Sequence, residues 1–252
     1  MSSSLVTKEQ QEECVLMPNK KTAIVCTIGP ASLDKIKELQ EQGMALVRFN
    51  GAFQPFSTEL RNKIPVPVLL DIPGKREKKR TSQFSDEELI LLAVHNSVDY
   101  IGVSYVRTPE DVLSIVRLLH GAPVKIVAKI ETKEAYENMD TIISMPEVSM
   151  LLIDRGDLGT AIGPEKVPHA QKKIIERCKH FNKPVIVATE MLMSTLKKEK
   201  PNCADVNDVY TAVTQGADFV MLSEETALGD DPLRPVKIMR GIIDYAHSIE
   251  SL

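Results

Sequence analysis

Eight short apolar runs recur along the chain, and a segment of helical patterning follows each one. The runs occupy residues 22–28, 45–49, 66–72, 100–104, 125–130, 150–153, 184–188 and 219–222. They are too short for buried helices and rich in β-branched residues, so they read as parallel strands covered on both faces. The intervening segments carry helix signals. Residues 32–42 open on Ser32 and stop at Gly43, and 55–63 are short. Residues 85–95 begin Ser-Asp-Glu-Glu, with Glu88 three positions after Ser85, the pattern of a capping box. Residues 108–120 place Pro109 at the first helical position, acids in the first turn and Gly121 at the stop. Further helices are expected over 132–139, 169–181, 205–215 and 231–248.

Eight alternating units predict an α/β fold closed as a single-domain (β/α)8 (TIM) barrel. An open doubly wound sheet is the alternative. Its glycine-rich first turn is missing, because the turn after the first run, 26–32, holds one Gly and a Pro. We expect residues 1–20 to form an N-terminal extension and 21–252 the barrel. Several runs end in charged or hydroxyl residues: Lys129 and Glu131, then Asp154, Arg155 and Asp157, then Thr189 and Glu190, then Ser223. Polar residues at the carboxyl ends of several strands are what a barrel active site requires. Two carboxylates on adjacent strand ends make a hard oxygen site suited to Mg2+ or Mn2+, and a lysine beside them adds positive charge where a phosphoryl group or an enolate develops its own. The bland alternative is a structural ion cluster in the barrel mouth, since buried charges need partners in any case.

Composition narrows the partners. The 252 residues include no Trp and only 4% aromatics, so aliphatic packing must build the core. A net charge of −4 gives no global reason to expect nucleic acid. No apolar run approaches the ~18 residues of a membrane helix, and the N-terminus lacks a signal-peptide pattern, so a cytoplasmic protein is expected. Cys14, Cys26, Cys178 and Cys203 are scattered without metal spacing and read as free thiols.

Six segments resemble the pyruvate kinase family: Ile24 to Ser32 (Ile-Val-Cys-Thr-Ile-Gly-Pro-Ala-Ser), Ala128 to Glu131 (Ala-Lys-Ile-Glu), Arg155 to Gly159 (Arg-Gly-Asp-Leu-Gly), Lys183 to Thr189, Met191-Leu192, and Met221 to Ser223 with Glu225 to Ala227. They occur in the family's order and span roughly residues 20 to 248. The resemblance implies a catalytic barrel that binds phosphoenolpyruvate and a divalent metal. It implies that Lys129 stabilises the transferring phosphoryl group and the enolate, and that Glu131 and Asp157 hold the metal. A short helix starting near Gly156 and Asp157 would turn its amino end to the substrate carboxylate, Thr189 would sit near the enol methylene carbon, and Arg48 and Ser104 would contact the phosphate region.

The chain also departs from that pattern. Only thirteen residues, 72–84, separate Asp71 from Ser85, where the family inserts a lid domain, and four follow Ser248, where it has a terminal domain. Nucleotide binding should be weakened and family-type effector regulation absent. Asn50 and Asp71 survive from the monovalent-cation site, but Ala52 and Ile72 bring no side-chain oxygen, so K+ is not expected. An Ala of the family becomes Asp154 and a Gln becomes Glu190, two carboxylates that would repel an anion unless paired or protonated. The run Lys75 to Arg80 has five basic residues in six and leaves the third strand toward the rim. Asn50, Lys78, Lys79 and Arg80 are its candidate phosphate or nucleotide contacts, and a solvated loop is the alternative. Three readings stay open: a minimal kinase exchanging phosphate between phosphoenolpyruvate/pyruvate and ADP/ATP, a metal-dependent lyase or decarboxylase on oxaloacetate or a related 2-oxo acid, and a binding barrel without turnover. A homodimer through barrel helices is compatible with each.

Overall fold

The computed structural model describes residues 21–52, 56–74, 84–197 and 200–250. The extension 1–20 and the basic run 75–80, with Lys78, Lys79 and Arg80, lie outside them. Eight parallel strands close on themselves in sequence order: β1 (Ala23–Thr27), β2 (Met44–Asn50), β3 (Val68–Ile72), β4 (Tyr100–Val103), β5 (Lys125–Ile130), β6 (Val148–Asp154), β7 (Val185–Ala188) and β8 (Phe219–Leu222). The closing pair is β1 with β8, where Ala23 faces Phe219 and Cys26 faces Leu222. The closed (β/α)8 barrel expected from the alternating runs is therefore the fold. β5 and β8 run over the expected residues, and the other strands shift by one to two at their ends.

The helices are α1 (Ile36–Glu41), α2 (Thr58–Asn62), α3 (Asp86–His95), α4 (Pro109–Leu119), α5 (Lys133–Glu137), α6 (Met139–Ile143), α7 (Arg155–Ile162), α8 (Val167–His180), α9 (Cys203–Thr214), α10 (Glu224–Ala227) and α11 (Leu233–Glu250). None is long and apolar enough to cross a membrane. The capping box at Ser85 and Glu88 forms in both directions, with Glu88 N–H donating to Ser85 Oγ at 3.1 Å and Ser85 N–H to Glu88 Oε2 at 2.7 Å. Ser32 does not cap α1. Its hydroxyl accepts from Gly29 N–H at 3.2 Å, which spends it on the turn before the helix, and α1 starts four residues later. The helix expected over 132–139 breaks at Asn138, whose backbone (φ −94°, ψ 10°) leaves the helical region and whose side chain donates to Arg107 O at 3.0 Å.

Strand period places alternate residues inside the cylinder. Ala23, Val25, Leu46, Leu69, Tyr100, Val127, Met150, Leu152, Ile186, Ala188, Phe219 and Met221 fill it as one apolar cluster. A second cluster joins the outer strand faces to the helices. Two residues beyond the interior set on six strands stand Thr27, Arg48, Asp71, Gly102, Lys129 and Asp154. At the opposite end, Asp99 Oδ2 accepts from Val68 N–H at 2.8 Å and Asp218 Oδ2 from Val185 N–H at 2.9 Å, so each aspartate fastens the start of a neighbouring strand.

Beside the mouth, the Glu225 carboxylate is buried and accepts from Ser223 N–H at 2.7 Å and Leu192 N–H at 3.3 Å. Burial raises its pKa above the ordinary carboxylate value, against the pull of those N–H groups, and burial with the nearby Glu225 charge raises the Cys26 thiol. The folded chain thus keeps the Glu225 proton where the unfolded chain has released it. Folding takes up a proton in that window, and stability falls as pH rises through it. Chemical denaturation between about pH 4 and pH 8 should show this decline. Glu225→Gln should make it shallower, with the raised pKa of Glu131 sustaining the rest; an unchanged slope rejects the assignment.

Candidate functional site

The carboxyl ends of β2, β3, β5 and β6 bring their charges to one point. Lys129 is 3% exposed, and its Nζ lies 3.0 Å from Glu131 Oε2, 3.2 Å from Asp154 Oδ2, 3.5 Å from Asp71 Oδ2 and 3.3 Å from Ser104 Oγ, to which it donates. Arg48 donates to Asp71 Oδ2 through Nε at 3.1 Å and Nη2 at 2.7 Å, and its Nη1 reaches Thr27 Oγ1 at 3.4 Å. Gly102 makes room for this cluster, since a Cβ there would lie 2.0 Å from Asp71 Oδ1. Burial alone would lower the Lys129 pKa, but Glu131, Asp71 and Asp154 outweigh it and hold the ammonium above its usual value. Burial raises Glu131 to about 7, against the opposing pull of Lys129. Burial also works against the Asp154 charge, but Lys129 overcomes it and keeps that pKa below the usual range.

Glu131, Asp154 and Asp157 each offer an oxygen, all within 4.8 Å of one another. Glu131 Oε2 lies 3.0 Å from Lys129 Nζ and has no hydrogen-bond partner of good geometry among the described residues, and Glu131 Oε1 accepts from Tyr105 N–H at 2.7 Å. The Tyr105 hydroxyl donates to Asp157 Oδ2 at 3.0 Å, so one residue orients both carboxylates. An all-oxygen, partly unsatisfied carboxylate set fits a hard divalent cation.

The helix that the family resemblance implied after β6 is α7, and it begins at Arg155, one to two residues before Gly156 and Asp157. Gly156 N–H donates to Thr189 Oγ1 at 3.0 Å, and Thr189 Oγ1 also lies 2.6 Å from Ala188 O and 3.3 Å from Asp154 Oδ1. Thr189 and Glu190 are left-handed, with φ 67° and 54°. Arg155 holds them there. It is 6% exposed and reaches Ala188 O at 3.3 Å through Nε, Glu190 O at 2.8 Å through Nη2, the Thr189 carbonyl through both, and Asp208 Oδ1 at 2.6 Å through Nη1. A cavity of about 420 Å3 opens beyond Gly156 and Glu190, bordered by Arg155, Thr160 and Asp208.

The strand-end residues Lys129, Glu131, Asp157 and Thr189 therefore meet in one mouth with Ser104, Arg48 and Gly156, which the family resemblance had added. Asn50 turns to its own loop, where Oδ1 accepts from Ala52 N–H at 3.1 Å. Asp154, expected to repel an anion unless paired, is paired. From sequence alone Asp71 carried only a cation-site role, Arg155 only a place among the strand-end charges, and Tyr105 no role. Strand period could have found Asp71, which lies two residues beyond the interior Leu69. Nothing in the sequence distinguishes Tyr105 from an ordinary loop aromatic.

Comparison with known proteins agrees with this geometry. The family model for the pyruvate kinase barrel domain matches residues 67–236. The chain is 40% identical to the pyruvate kinase of Bacillus licheniformis over 192 residues, which is 74% of this chain and 31% of that protein. It is 40% identical to that of Thermotoga maritima over 163 residues, 64% of this chain and 34% of that protein, and 41% identical to that of Geobacillus stearothermophilus over 189 residues, 73% and 31%. The chain spans about a third of the length of these curated relatives. With a matching barrel domain and those residues gathered at its mouth, the chain belongs to the pyruvate kinase family.

Proposed function

We propose that this barrel performs divalent-cation-dependent phosphoryl exchange between phosphoenolpyruvate and ADP, giving pyruvate and ATP. The observation that carries the reading is the convergence of the Lys129 ammonium with the carboxylates of Glu131 and Asp154, next to Asp157, at the carboxyl end of the barrel. Mg2+ or Mn2+ held by Glu131 and Asp157 would supply positive charge against an enolate and its carboxylate. Lys129 Nζ stabilises the charge that develops when the phosphoryl group leaves. Tyr105 keeps Glu131 and Asp157 aimed at one point. Thr189 Oγ1, fixed by Gly156 N–H, is the hydroxyl through which a proton reaches the enol carbon. Arg48, anchored on Asp71, and Ser104, bonded to Lys129, flank the phosphate position. Lys78, Lys79 and Arg80 supply the nucleotide contacts, so reversing their charge weakens ADP binding and leaves Mn2+ binding unchanged. Ala52 and Ile72 contribute no side-chain oxygen, so K+ has no part in the reading.

One observation favours a second reading, cation-dependent decarboxylation of oxaloacetate or a related 2-oxo acid. Asp154 engages the Lys129 ammonium that a phosphoryl group would need. Titration of Mn2+ with and without oxalate tests the site common to both, and absent Mn2+ binding rejects both. A coupled assay for pyruvate then separates them: dependence on ADP with phosphoenolpyruvate supports the kinase, and nucleotide-independent release from oxaloacetate supports the decarboxylase. A Lys129→Ala control should show neither.

A further inference from the structure

Three features that attract an anion share one space at the ends of β5, β6 and β7. They are the buried Lys129 ammonium, the Thr189 hydroxyl and the first turn of α7, whose leading N–H groups have no partner inside the helix. A protein carboxylate already stands there. Asp154 Oδ2 is 3.2 Å from Lys129 Nζ, and Oδ1 is 3.3 Å from Thr189 Oγ1. A Cβ placed on Gly156 would sit 3.8 Å from Thr189 Oγ1 and 3.9 Å from Asp154 Oδ1, so both atoms overhang the amino end of the helix. Asp154 occupies the N-cap position of α7, where an aspartate ordinarily caps its own helix. The Asp157 N–H helps to hold its charge, yet both of its oxygens also reach across the mouth, to Lys129 and Thr189.

Formal charge gives the arrangement its consequence. Among the described residues linked around Lys129 and Tyr105, two cations (Arg48 and Lys129) face four carboxylates (Asp71, Glu131, Asp154 and Asp157). The mouth thus carries an excess of two negative charges, which one divalent cation cancels. Without the Asp154 charge, the same cation would leave a surplus of one positive charge for an incoming anion.

We propose that Asp154 is a resident counter-ion that occupies the place of a ligand carboxylate between Lys129 and Thr189, and that a small 2-oxo acid or dicarboxylate binds only by displacing it. This rests on the cation-dependent reading above. Asp154 sets which ligands the mouth admits. A ligand enters when its own contacts with Lys129, Thr189 and the cation exceed those that Asp154 gives up. The Asp154 side chain is 13% exposed, so it lies at the solvent edge of the cluster, where an entering ligand meets it.

The test is calorimetric titration of oxalate, at saturating Mn2+, into the native chain and the Asp154→Asn and Asp154→Ala variants, each first checked for a native thermal midpoint. Both variants should bind oxalate about ten- to a hundredfold more tightly, the weight of one charge-assisted contact no longer given up. Their Mn2+ affinity should fall only modestly, by less than about tenfold, because one nearby negative charge is lost while Glu131 and Asp157 remain. Glu190→Gln, which removes an exposed carboxylate nearby, should change oxalate affinity much less. Unchanged or weaker oxalate binding overturns the proposal while leaving the functional reading intact. A parallel collapse of Mn2+ affinity overturns it by making Asp154 a cation ligand, and an equal gain in Glu190→Gln overturns it by making the effect general charge. Absent Mn2+ binding by the native chain overturns both the proposal and the reading.

Discussion

Lys129→Met is expected to abolish turnover and to destabilise the fold in a pH-dependent way. The ammonium lies within 3.5 Å of Asp71, Glu131 and Asp154, and at most a few per cent of it reaches solvent. Methionine fills the volume and leaves two of those carboxylates, Glu131 and Asp154, without their principal cation; Asp71 keeps Arg48. Breaking a buried pair by removing one partner costs about 3–5 kcal/mol. The loss should be largest above neutral pH and shrink toward pH 5. In the variant Glu131 and Asp154 take up protons on folding, so lower pH relieves their repulsion. On the proposed chemistry, kcat should fall about a hundred- to a thousandfold, as when one preorganised donor is removed from a developing anion. Mn2+ should bind the variant at least as tightly as the native chain, because a repelling charge has gone. Denaturation at two pH values, a coupled assay and a Mn2+ titration decide the matter. A variant that loses Mn2+ binding would show that Lys129 organises the carboxylates and that the catalytic assignment is unsupported.

The second large effect is expected at Arg155. Its guanidinium spans the carbonyls of Ala188, Thr189 and Glu190 and ends on Asp208. It thereby holds a β-branched residue at a positive φ, a conformation that costs on the order of 1–3 kcal/mol and persists only when its surroundings enforce it. Arg155→Met should leave Asp208 and those carbonyls without their donor and destabilise the chain by about 3–5 kcal/mol. Thr189 should then relax toward the extended region, taking its hydroxyl from Gly156 N–H. Activity should fall through kcat while Mn2+ affinity stays close to native, because Glu131, Asp157 and Tyr105 do not depend on Arg155. Arg155→Lys should recover part of the stability, through Asp208, and little of the activity, because one ammonium cannot span three carbonyls. Equal losses in Mn2+ affinity and kcat would mean that the whole mouth, and not Thr189 alone, rests on Arg155.

The barrel was legible because each strand is built on a short apolar run whose polar residues stand only near its ends, a signal that depends on neither partner nor register. That is why β5 and β8 match to the residue. Helix starts were less legible where a polar residue had two places to spend its hydrogen bond, as Ser32 shows. The break at Asn138 was hidden because its side-chain partner, Arg107 O, lies 31 positions away in sequence. Within the site, Lys129, Glu131 and Asp157 stood out as strand-end charges. Their grouping with Asp71 and Arg48 depends on how the ends of four strands, β2, β3, β5 and β6, are staggered, and no single segment records that. Asp154 looked like an uncompensated charge because its partners, Lys129 and Thr189, lie on other strands.

The division of the cylinder into an apolar interior and a polar set two residues further on has a practical outcome. Phe219, Leu69 and Leu152 below the mouth pack without reference to the groups above them. Thr27 is a small side chain beside Arg48. That position and Asp154 form a cassette that a mutant library could rewrite to admit bulkier or differently charged acids, with the scaffold beneath serving as an unaltered socket.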